Sequence, residues 1–362
     1  VNYHQYFKEI VAVEPMITKI APSVQPSESW QNELAQAIRE PDELIRLLHL
    51  PESLLEAAIC SARHFPLRVT QSFLARMETG NPDDPLLRQV LPLGAEKILN
   101  DENLSIETQT RWGQADPVGD MEAMASPGLL HKYEGRVLLV STAACGIHCR
   151  YCFRQHFPYQ QANPLGTHLP ATLAYLGQHT DIHEVILSGG DPLSISDTRL
   201  ARLTSQLAAI PHLKTLRIHT RLPVVLPQRL LAGKLDWLKT CRLNVVMVLH
   251  INHPNEINDE FRQAMYCLQG RNLTLLNQSV LLRGINDEPD SLIELSHKLL
   301  ECGILPYYLH QLDKVTGAAH FEVPISTGHH IIEQMRHKLP GYLVPRYVQE
   351  IAGQTAKTPL YI

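Results

Sequence analysis

A chain of 362 residues with 44% hydrophobic and 19% charged residues has enough material for a full-sized core and the balance of an ordinary soluble globular protein. Its 32 basic and 37 acidic residues leave a net charge of −5, which gives no basic field and excludes nucleic acid as the main partner. The N-terminal sequence has no signal-peptide run and no stretch of roughly 18 apolar residues exists, so a cytoplasmic protein that neither spans nor binds a membrane is expected.

Residues 1–130 read as a mostly helical N-terminal region. "SWQNELAQAIREPDELIRLLHL" has helical apolar spacing with a break at Pro41, and "ESLLEAAICSARHF" reads as another helix. "GNPDDPLL" and "ADPVGDMEAMASPG" read as Pro-, Gly- and Asp-rich loops. Over 131–362 six strand-like runs recur: "RVLLVS", "EVILSG", "TLRIHT", "NVVMVL", "TLLNQSV" and "PYYLHQ". Their starts lie about 30 residues apart after a first gap of about 47, with helix-like segments between them. That rhythm predicts an α/β fold built from βαβ units around a parallel sheet. Six units rather than eight predict a partial (βα)6 TIM-like barrel, in which chemistry collects at the C-terminal ends of the strands. The continuous apolar strands suggest a sheet covered on both faces.

The first strand runs into "STAACGIHCRYCFRQHF", where Cys145, Cys149 and Cys152 follow a C-x3-C-x2-C spacing. The other four of the seven cysteines are scattered, so the set does not read as a disulfide framework. Three soft thiolates in one loop suit zinc or an iron–sulfur cluster. Zinc would need a fourth ligand, from His148, His156 or a distant residue. A [4Fe–4S] cluster held by three cysteines leaves one iron open to a small molecule.

C-x3-C-x2-C opening a βα repeat resembles the signature of radical S-adenosylmethionine enzymes. In that family the open iron chelates the methionine end of S-adenosylmethionine, and one electron releases a 5′-deoxyadenosyl radical. "LSGGDPL" strengthens the resemblance and implies cofactor contacts at Ser188, Gly189, Gly190 and Asp191, the glycines allowing close backbone approach. From about Gly128 onward the chain resembles the lysine 2,3-aminomutase subgroup, through "GLLHKYEGRVLLVSTAACGIHCRYCFR", "LRIHTRLPVVLPQRL", "HINHPNEI", "LLNQSVLLRGIND", "PYYLHQLDK" and "KTP". In that subgroup a lysine before Thr-Pro carries pyridoxal 5′-phosphate, and Lys357 takes its place. Small and apolar neighbours would favour its reactive amine form. Arg136 matches a phosphate-binding arginine, with Lys132 and Tyr133 at neighbouring cofactor positions. Lysine stands at 132 where arginine is common, and gives a point charge rather than a fork. His219, Thr220 and Arg221 are weaker candidates for cofactor contact. His250 and Gln278 fall at positions that contact S-adenosylmethionine.

The resemblance also implies the substrate. Arg154 matches the residue that meets the α-carboxylate of a free amino acid. Asp313 and Glu350 match two acids that select a distal ammonium, which favours L-lysine over glutamate. The implied reaction moves the amino group from C2 to C3. Glu350 stands where aspartate is usual and keeps the charge with one more methylene, while the loop "GQTAK" and the short C-terminus resemble the branch that makes (R)-β-lysine for attachment to elongation factor P by a separate ligase. An electron donor such as flavodoxin or ferredoxin is implied. The rival readings are an aminomutase acting on glutamate, on peptide-bound lysine or in free lysine catabolism, and a zinc-stabilised non-enzymatic binding protein.

Overall fold

The computed structural model describes residues 30–91, 112, 114–162, 165–231, 235–268 and 273–360. The stretches 1–29, 92–111 and 113 of the expected N-terminal region lie outside the described residues. Ten strands form one open sheet in chain order: β1 (Met124–Ser126), β2 (Leu129–Tyr133), β3 (Arg136–Thr142), β4 (Glu184–Gly189), β5 (Thr215–Thr220), β6 (Asn244–His250), β7 (Leu273–Val280), β8 (Leu305–His310), β9 (Arg346–Gln349) and β10 (Thr358–Pro359). The six expected strands are β3 to β8, and all of them pair in parallel. A seventh parallel strand, β9, extends this run beyond the six foreseen. The antiparallel additions β1, β2 and β10 lie at the two edges.

Helices form where apolar residues recur on one face. Asp197–Ala208 buries Leu200, Leu203, Thr204 and Leu207, and Pro289–Glu301 buries Leu292, Leu295, Ser296 and Leu299. Pro41 separates two N-terminal helices and opens the second, Pro41–Leu47, at a position where its missing N–H costs nothing. The expected third helix begins with a 3-10 turn at Glu52–Leu54 and continues as Leu55–Ala62. Trp30, Leu34, Phe73, Leu86 and Leu87 share one buried cluster with Val137, Leu139, Val185 and Leu187 of the sheet. The N-terminal helices therefore pack into the sheet's own core, and the expected boundary at 130 falls inside β2. Among the described residues no helix is long and apolar enough to cross a membrane.

Candidate active site

Strand alternation sends half of the side chains of the parallel sheet into the core and the other half into a cavity of about 400 Å³. Arg136 and Leu138 of β3, Ile186 and Ser188 of β4, and Arg217 and His219 of β5 line it. So do His250 of β6, Gln278 and Val280 of β7, and Tyr308 and His310 of β8. The intervening Val137, Leu139, Val185, Leu187, Leu216 and Ile218 belong to the core. One face of the sheet thus lines a hollow with both polar and apolar walls. Cys145, Cys149, Cys152, Arg154, Gly189, Gly190, Asp191 and Asp313 reach the same cavity from the loops after the strands. Lys132, Tyr133, Glu350 and Lys357 reach it from the antiparallel edges, so the residues that the resemblance implies for cluster, cofactor and substrate meet in one place.

At one end stand the three thiols. Burial pushes the Cys152 thiol up to about 12, with Cys149 adding to the shift, and holds Cys145 well above its ordinary value. His148 turns away to the Pro66 carbonyl, 2.8 Å from Nδ1, and neither it nor His156 lines the cavity. Among the described residues no three His, Cys, Asp or Glu side chains converge as ligands of a single ion do. Three thiols on one loop are a donor set that could hold an iron–sulfur cluster. Gly190 N–H donates to the Thr142 carbonyl at 2.6 Å, and Asp191 N–H to the Ala144 carbonyl at 2.7 Å, which docks the end of β4 on the cysteine loop. A Cβ on Gly190 would sit 2.5 Å from the Ala144 carbonyl oxygen, so loop-against-loop packing already demands glycine there. Asp191 has both carboxylate oxygens engaged. Oδ1 accepts from Thr220 Oγ1 at 2.6 Å and Leu193 N–H at 3.0 Å, and Oδ2 from the N–H groups of Arg221 and Leu222 at 2.6 and 2.7 Å.

At the other end lies a chain of alternating charge. Gly135, at φ +75°, turns β2 into β3 and sets Lys132 and Tyr133 beside Arg136, whose guanidinium lies 4.6 Å from the Tyr133 ring centroid. Arg154 Nε donates to Asp120 Oδ2 at 2.6 Å, and Nη1 to Ser188 Oγ at 3.1 Å. Lys132 Nζ lies 2.5 Å from Asp120 Oδ1 and 3.2 Å from Glu350 Oε1, and also donates to the Val118 carbonyl at 2.7 Å. Lys357 donates to Glu350 Oε2, so its setting is charged rather than apolar as expected. Burial raises the Glu350 carboxyl, but Lys357 and Lys132 outweigh it and hold the group well below the usual range. Asp120 follows the same logic through Arg154 and Lys132. Asp313 makes no ion pair among the described residues; burial and the neighbouring Glu350 push it up to about 7.

Between the two ends stand neutral histidines. Burial, then the charges of Arg217 and Lys357, hold His219 well below its ordinary value, and its buried Nε2 has no hydrogen-bond partner among the described residues. A bound molecule can use that atom. Burial, then Arg221, lowers His250 to about 3, and its ring stacks on Tyr151 at 5.7 Å.

No protein-family model matches the chain. It is 45% identical over 334 residues to the L-lysine 2,3-aminomutase of Escherichia coli (strain K12), covering 92% of this chain and 94% of that protein. The chain belongs to the lysine 2,3-aminomutase family. The protein of the same name from Haemophilus influenzae is 45% identical, covering 93% of this chain and 97% of that protein. That of Clostridium subterminale is 34% identical, covering 91% and 77%. Membership makes this chain an isomerase, an intramolecular aminomutase, and removes the reading of a zinc-stabilised non-enzymatic protein.

Within this family member, sequence reasoning missed Asp120, Tyr151, Arg217, Tyr308 and His310, all on the cavity wall. The strand period could have flagged Arg217 and His310, two residues away from inward neighbours on β5 and β8. Asp120 lies in a stretch read only as a Pro-, Gly- and Asp-rich loop, and it is 1% exposed.

Proposed function

We propose that this chain is a radical S-adenosylmethionine, pyridoxal-phosphate-dependent aminomutase that converts L-α-lysine to (R)-β-lysine, which serves the modification of elongation factor P. The observation that carries the reading is that three thiols, the Lys357 amine, Arg154 and two carboxylates share one cavity. The relatives' names supply the substrate and the reaction. Because the cavity is lined from β3 through β8, the reading takes the sheet as curled about it, a partial TIM-like barrel of the radical S-adenosylmethionine type. The "GQTAK" loop is the feature that favours the elongation factor P branch over free lysine catabolism.

In this reading Cys145, Cys149 and Cys152 hold the [4Fe–4S] cluster. Ser188, Gly189, Gly190, Asp191, His250 and Gln278 flank S-adenosylmethionine. Arg136 and Tyr133 receive pyridoxal phosphate, which Lys357 tethers, with Lys132 beside them. When bound, these groups supply a primary carbon radical, fed by an electron from a donor such as flavodoxin or ferredoxin, and a ring that delocalises an unpaired electron. The protein's work is placement and charge. Arg154, already braced by Asp120 and Ser188, offers a rigid fork to the substrate carboxylate. Asp313 lacks a counter-ion that a substrate ammonium provides. Glu350, on the same cavity wall, would add a second carboxylate for that ammonium. His250 and His219 stay uncharged and add no cation to repel it.

The test is anaerobic incubation of the full chain with S-adenosylmethionine, pyridoxal phosphate, reductant and L-lysine, followed by chiral amino-acid analysis. (R)-β-Lysine is the expected product. Unchanged lysine, or turnover of glutamate instead, overturns the reading.

A further inference from the structure

Arg221, just beyond β5, is 7% exposed and has an unusual set of partners. Its Nη1 donates to Cys149 Sγ at 2.8 Å and to Tyr151 Oη at 2.5 Å. Its Nη2 donates to Gln89 Oε1 at 2.6 Å and to Glu256 Oε2 at 2.9 Å. The other oxygen of Glu256 accepts from the N–H groups of Asn252 and His253 and from Gln89 Nε2, at 2.9, 3.1 and 3.2 Å. Asn252 Nδ2 closes the frame on Gln89 Oε1 at 3.0 Å and Tyr151 Oη at 2.7 Å. Gln89, Asn252 and Glu256 are all 0% exposed.

A buried ion pair is weak support for a fold, because well-packed apolar residues of similar size often serve as well. This one is costly, held by several hydrogen bonds, and aimed. The guanidinium bridges the Glu256 carboxylate and the Cys149 sulfur. A cationic donor on a thiolate ligand stabilises the more negative state of the metal centre it binds. We propose that Arg221 is a positioning residue that fixes the Cys149 thiolate and raises the reduction potential of the cluster, with Gln89, Asn252, Tyr151 and Glu256 as its frame. The inference rests on the iron–sulfur reading of the three cysteines. The step it governs is a one-electron reduction by an external low-potential donor, in which the cluster gains one negative charge and no bond is made or broken. Gln89 lies in the helical N-terminal region, so that region helps hold the redox centre.

The test uses the full chain, reconstituted anaerobically with iron and sulfide, without S-adenosylmethionine or lysine. Iron and sulfide content and a reductive titration followed by electron paramagnetic resonance are the readouts. In the charge-neutral double variant Arg221→Met/Glu256→Gln, iron content is expected to hold. At a fixed poise the ratio of reduced to oxidised cluster is expected to fall about tenfold, the size of one lost charge-assisted hydrogen bond. Glu256→Gln alone keeps the cation and discards the anion beside it, so its potential is expected to move the opposite way. A titration curve unchanged in both variants overturns the inference. If the double variant holds no iron, the direction of the Glu256→Gln shift decides: less negative supports the inference, and unchanged or more negative overturns it. Wild-type chain that takes up no iron and sulfide fails the cluster reading itself, a result distinct from either.

Discussion

Replacing Asp313 with asparagine is expected to push ligand-free stability and lysine use in opposite directions. Burial, then Glu350, raises the Asp313 carboxyl from 3.8 to about 7, and Lys357 and Lys132 only partly offset this. A carboxyl whose folded value lies above its unfolded value binds its proton more tightly when folded. Its cost to stability is small below about pH 4, grows through the interval to about pH 7, and is complete above it. A shift of about 3 units at about 1.36 kcal/mol each makes that cost roughly 4 kcal/mol near pH 8. Asp313→Asn removes it, so thermal unfolding of the ligand-free chain near pH 8 should move up by several degrees, with the gain shrinking toward about pH 4. Lysine turnover should fall roughly a hundredfold in kcat/KM, because an amide offers no charge to a buried ammonium, a loss of about 3 kcal/mol. In the wild type the ionised fraction of Asp313 drops roughly tenfold between about pH 8 and pH 6, and kcat/KM should fall with it. The variant should lack that acidic limb. Anaerobic kinetics and thermal melts over this range check both halves. Wild-type kcat/KM in the variant, or lost activity together with lowered stability near pH 8, refutes the reasoning.

Cys149→Ala should remove the iron-dependent visible absorbance after reconstitution, as measured by spectrum and iron content. Lys357→Ala should lose the absorption band of tethered pyridoxal while keeping its iron. Gly190→Ala places a methyl 2.5 Å from the Ala144 carbonyl oxygen and 2.7 Å from the Ala143 carbonyl carbon, backbone atoms that cannot swing aside. It should cost about 1–3 kcal/mol in a denaturant melt and lower iron uptake by displacing the cysteine loop.

The six central strands were legible because each is an apolar run bounded by turn residues, a signal that lives within a few positions. β9 was not, since only Tyr347 and Val348 of its four residues are buried, and a strand so short leaves almost no period. The thiol cluster was legible as spacing, and Lys357 only through resemblance, because one lysine near a terminus says nothing alone. Asp120 could not be read at all. Its burial depends on Arg154 and Lys132 arriving from two other segments, and a closed circuit of charge is not a property of any one stretch. Asp191 shows the converse. Its motif marked it for a cofactor, yet the protein itself occupies both of its oxygens.

That last residue has a mechanical consequence. Through its backbone N–H and its carboxylate, Asp191 joins the cysteine loop, the end of β4 and the start of the helix Leu222–Val225. The amides of Arg221 and Leu222 lie outside any strand, but they point at a buried anion and should exchange with deuterium as slowly as those of the sheet. The rim of the cavity therefore behaves as a braced hoop rather than as separate flaps, and a side-chain change at this single knot would slacken three segments together.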